Sequence, residues 1–77
     1  MAQYDVMVGD RIQIDNETID MHVAQYLSAG KNRKANTWEL YRDVVFDVHT
    51  VKNHGVIVVY DSQHTSIELK PNQYTVL

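Results

Sequence analysis

The 77 residues hold one domain, 1–77, and no more. There is no cysteine, which excludes disulfides and thiolate metal sites and fits a reducing, cytoplasmic setting. A net charge of −3 is too mild to make nucleic-acid binding a property of the whole domain. A core this small supports a net stability on the order of 3–5 kcal/mol. Met1 to Asp5 lack the basic start and apolar run of a secretory signal. The longest apolar run, Val56 to Tyr60, is far short of the roughly 20 residues that cross a bilayer, so no membrane partner is expected.

In chain order, Gly9-Asp10 is a turn signal, and Arg11-Ile12-Gln13-Ile14-Asp15 alternates polar and apolar as a half-buried strand does. Residues 16–30 have two readings. As a strand, Ile19, Met21 and Val23 share a face; as a helix, Ile19, Val23, Tyr26 and Leu27 form a stripe. The ends favour the helix, with Asp15 or Asn16 as N-cap, Glu17 and Asp20 near the start, and Gly30 as C-cap. Lys31 to Thr37 is polar and reads as an exposed loop. Trp38 to Arg42 suits either a short helix capped by Thr37 or the start of a long strand.

From Val44 the pattern is clearer. Val44, Phe46 and Val48 alternate with Val45, Asp47 and His49, and Asn53-His54-Gly55 then makes a turn. Val56 to Tyr60 is apolar on both faces, as in a covered central strand. Asp61 to His64 turns the chain again, and Thr65 to Leu69 points Ile67 and Leu69 inward. Pro71-Asn72-Gln73 breaks the ladder before a last short strand, Tyr74 to Leu77.

This order resembles an SH3-like small β-barrel. The likeness lies in Val8-Gly9-Asp10-Arg11-Ile12 at the start and in Ile67 to Val76, a strand, a Pro-led turn and a final apolar strand. It covers residues 6–15 and 44–77. The fold class it implies is mostly β (α+β): a five-stranded SH3-like small barrel with an enlarged first loop, residues 16–43, that holds a short helix. The aromatic and acidic pattern of proline-peptide-binding SH3 domains is missing from that loop, so no functional residue is carried over from the fold.

Four histidines, His22, His49, His54 and His64, lack the i, i+2 or i, i+4 spacing of paired ligands, and His49 and His54 merely flank a hairpin turn. The three glycines form no phosphate loop, and the serines sit in no nucleophile elbow. The expectation is therefore no enzyme, no metal and no cofactor. The best positive signal is the stretch 31–42, where Lys31, Arg33, Lys34 and Arg42 stand beside Trp38 and Tyr41. Cations next to stackable rings suit phosphate and base contacts. Aromatics with Arg also make good protein-interface anchors, whereas in a small domain such rings more often pack on the core. A second candidate patch is the acidic start, with Asp5, Asp10, Asp15, Glu17 and Asp20 against Arg11 alone. The expected role is a non-catalytic interaction module with a macromolecular partner, a protein before nucleic acid, or a second copy of itself. Such a chain suits a small bacterial or bacteriophage accessory protein, for example an inhibitor of a host complex.

Overall fold

Period-two alternation builds the sheet. In the computed structural model, which describes residues 6–77, the strands are β1 (Arg11–Ile14), β2 (Val45–Val51), β3 (Ile57–Tyr60), β4 (Ser66–Leu69) and β5 (Tyr74–Val76). All pairings are antiparallel, in the order β4-β3-β2-β1-β5. One face carries Ile12 and Ile14, Phe46 and Val48, Ile57 and Val59, Ile67 and Leu69, and Tyr74, all buried in a single cluster. The register explains this, since it sets Ile12 opposite Phe46, Ile14 opposite Tyr74, Val59 opposite Ile67 and Ile57 opposite Leu69.

The architecture is α+β: a five-stranded antiparallel sheet with two helices. Among the described residues the ladder does not close, so β4 and β5 remain edges. Val44 precedes β2 and is partly exposed, while the alternation expected after it holds for Phe46 and Val48. Val56 likewise precedes β3, whose outward Tyr60 is exposed rather than covered. The register of β2 on β3 shifts between Val48 and Thr50, which makes His49 a bulge residue.

Residues 16–43 form a helical hairpin between β1 and β2. Its first helix, α1 (Asn16–Ser28), bears out the helical reading. Asp15 occupies the N-cap position, although its carboxylate accepts a 2.6 Å hydrogen bond from Thr75 instead of capping α1. At the other end, the Lys31 N–H bonds the Tyr26 carbonyl at 2.8 Å and the Gly30 N–H bonds that of Leu27 at 3.1 Å. Gly30 takes φ +74°, so this is a Schellman turn with its left-handed position filled by the residue that tolerates it.

The second helix, α2 (Asn32–Leu40), corrects the expected loop over Lys31 to Thr37. A helix that meets solvent on most sides is polar nearly all round and shows no apolar stripe. Only Ala35 of α2 is fully buried. The hairpin packs chiefly on itself and reaches the core through Ile19, Val23, Trp38 and Tyr41. It is an arm rooted in the sheet's core.

Candidate functional site: a helical arm with a basic tip

The six residues singled out in 31–42 separate into two groups. Lys31, Arg33 and Lys34 are exposed at the turn of the arm, whereas Trp38, Tyr41 and Arg42 serve its root. Trp38 stacks on His22, with ring centroids 3.9 Å apart and planes 11° from parallel, and meets Tyr41 edge-on at 5.2 Å. Tyr41 is only 8% exposed and packs edge-on against Phe46 of the sheet at 5.6 Å. A file of rings, His22–Trp38–Tyr41–Phe46, thus runs from α1 through α2 into the core.

Arg42 is fully engaged. It donates to Asp20 at 2.6 Å, to both carboxylate oxygens of Glu39 at 2.6 and 3.1 Å, and to Asn16 at 3.3 Å. It pins the start of α1 to the end of α2 and holds the Glu39 carboxyl below the usual carboxylate range. The acidic start is committed in part, with Glu17 exposed in the first turn of α1. Asp10 accepts from the Met7 N–H, Asp15 from Thr75 and Asp20 from Arg42, and Asp5 lies outside the described residues.

The Tyr41 hydroxyl donates to Asp61 at 2.7 Å, tying the arm to the β3–β4 turn. Burial, then this bond, push the Tyr41 phenol well above its ordinary range. Asp61 also accepts from the Thr65 and Gln63 N–H groups, each at 2.9 Å. The Thr65 bond, then Tyr41, lower its carboxyl below the ordinary value. A carboxyl lowered by folding stabilises fully above its unfolded pKa, and that contribution fades as pH falls through the folded value. Urea melts of the wild type should therefore lose stability below about pH 4, near the unfolded Asp value. In Asp61→Asn part of that acid limb should vanish; an unchanged pH profile would show the bond to be idle.

Charge is divided along the molecule. All ten carboxylates lie outside residues 21–38, which hold three of the seven cations, so the arm beyond its root is +3 and the remainder −6. Lys31 stands at the N-cap of α2, with Arg33 and Lys34 in its first turn and no acid there. A helix N-terminus favours anions, so these cations sit where local stability opposes them. None of the three makes an ion pair among the described residues. The Lys34 ammonium lies 5.7 Å from the Tyr26 ring centroid.

An open depression of about 670 Å³ on the sheet side is lined in part by Val45, Asp47, His49, Tyr60 and His64. His49 packs edge-on against Tyr60 at 4.8 Å and bonds Thr50. Among the described residues no three His, Asp or Glu side chains gather as a metal set. No helix is long and apolar enough to cross a membrane.

Sequence reasoning found the cations because they are neighbours in the chain. It missed the contacts that His22, Asp20 and Asp61 make with Trp38, Arg42 and Tyr41, because those partners lie 16 to 22 positions away and leave no local signal. No family model, curated protein or solved structure matches this chain.

Proposed function

We infer that this chain is a non-catalytic protein-binding module that presents its helical arm to an acidic protein surface. The observation that carries this reading is the placement of Lys31, Arg33 and Lys34 at the positive end of α2 without neutralising partners. A local rule broken without compensation points to a use outside the fold. Exposed Leu27, just before the turn of the arm, adds apolar contact area near the charge, while Met21 and Leu40 are exposed nearer the root. The frame beneath is read as an SH3-like small barrel, a reading supported by the strand order in which β5 returns beside β1. A small bacterial or bacteriophage accessory protein, such as an inhibitor of a host complex, fits this size and design.

Nucleic acid suits the arm less well. Trp38 is stacked on His22, Tyr41 is buried and Arg42 is neutralised, so only three cations remain for phosphates. Three contacts give a salt slope of only about −3 and weak binding. The test is a pull-down from nuclease-treated lysate of the source cells, with wild type and Lys31→Glu/Arg33→Glu as baits. A stoichiometric protein retained by the wild type and lost by the variant is expected. An empty wild-type lane, or equal retention by both baits, would contradict the reading.

A further inference from the structure

We propose that the groove between the arm and β4 binds an extended, acidic peptide segment of the partner by strand addition to β4, an assignment that rests on the reading of the chain as a protein-binding module. The groove has a volume of about 330 Å³ and lies between Tyr26, Lys34 and Trp38 of the arm and Ser66, Ile67 and Glu68 of the strand.

β4 is an edge of the sheet, and its ladder fixes which backbone groups face outward. The Asp61 N–H bonds the Thr65 carbonyl at 3.1 Å, one bond of a hydrogen-bonded pair, while the Thr65 N–H, also turned toward Asp61, donates to its carboxylate. Antiparallel ladders alternate such pairs with non-bonded ones. In the observed register the bonded pairs are then Val59 with Ile67 and Ile57 with Leu69. Ser66 and Glu68 fall between them, so their N–H and C=O groups turn away from β3. No turn, loop or side-chain hydrogen bond among the described residues engages the backbone of either. An extended peptide satisfies all four groups at once, with alternate side chains facing the arm.

The charge selects the occupant. Glu68 is already paired with Lys52 at 2.7 Å, and this holds its carboxyl below the usual range. Lys34 has no carboxylate partner and stands at the opposite wall. The unneutralised charge of the groove is therefore positive, which calls for Asp or Glu on the side of the peptide that meets the arm. The partly exposed Trp38 side chain in the groove wall offers apolar contact to its neighbours.

The probe is a random-peptide display library panned on the intact protein. Enriched sequences should share an extended, β-branched stretch with a carboxylate at a fixed position. A synthetic peptide of that sequence should slow hydrogen exchange at the Ser66 and Glu68 amides. Its affinity should fall about tenfold in Lys34→Glu, the size expected for one charge-assisted contact. Ser66→Pro, which removes an outward N–H but no ladder bond, should weaken it as well. Failure to enrich any peptide would overturn the proposal, as would binders indifferent to Lys34→Glu. Exchange at Ser66 and Glu68 slowed by protein concentration alone would instead assign the edge to a second copy. A partner lost on reversal of Lys31 and Arg33 but bound with Ser66 and Glu68 unprotected would remove strand addition and leave the arm reading intact.

Discussion

Tyr41→Ala is expected to cost about 3–5 kcal/mol, the usual loss when a large buried ring is truncated. That is close to the whole stability of a domain this size, on the order of 3–5 kcal/mol, so little of the variant should be folded at 25 °C. The reason lies in what the ring joins. Tyr41 contacts Trp38 on the arm and Phe46 in the sheet, and its hydroxyl holds Asp61. Removing it opens a cavity where the arm enters the core. Tyr41→Phe keeps both ring contacts and loses only the bond to a partly solvated carboxylate, for which about 1 kcal/mol is expected. Urea melts followed by circular dichroism would measure both. A Tyr41→Ala protein as stable as the wild type would show that the arm is not anchored through this ring.

Trp38→Ala is expected to cost about 2–3 kcal/mol, less than for a fully buried ring because Trp38 is only partly covered. Its role separates two uses of the same side chain. A ring that braces α1 against α2 through His22 affects stability when removed, whereas a base-stacking platform affects nucleic-acid affinity. Wild type and folded Trp38→Ala should therefore show the same weak, salt-sensitive retention on single-stranded DNA. Retention lost in the variant alone would return Trp38 to a stacking role. Trp38 is the chain's single tryptophan, so its fluorescence reports the arm directly. In the wild type that signal should change at the same urea concentration as the circular dichroism of the sheet, because arm and sheet share one core.

What was legible in the chain follows from the range of the interactions. Phe46 to Leu69 alternate with period two between turn residues, so strands and inward faces could be read locally. Gly30 marked the end of α1 for the same reason, since only a residue tolerant of φ +74° suits that turn. α2 escaped because the face it buries is as narrow as Ala35, and its cations and amides resemble a loop. The site was half legible. Lys31, Arg33 and Lys34 are adjacent in the chain, but the work assigned to Trp38, Tyr41 and Arg42 depends on His22, Asp61 and Asp20. Those contacts exist only after the arm folds back on itself and onto the β3–β4 turn.

The most direct test of the arm as the contact element is site-specific photo-crosslinking in nuclease-treated lysate. The photoreactive residue would replace Arg33 at the arm's tip in one protein and Thr75 on β5 in another. One discrete protein adduct is expected from position 33 and none from position 75. An adduct from position 75 alone, or none from position 33, would contradict the arm's role as the contact element.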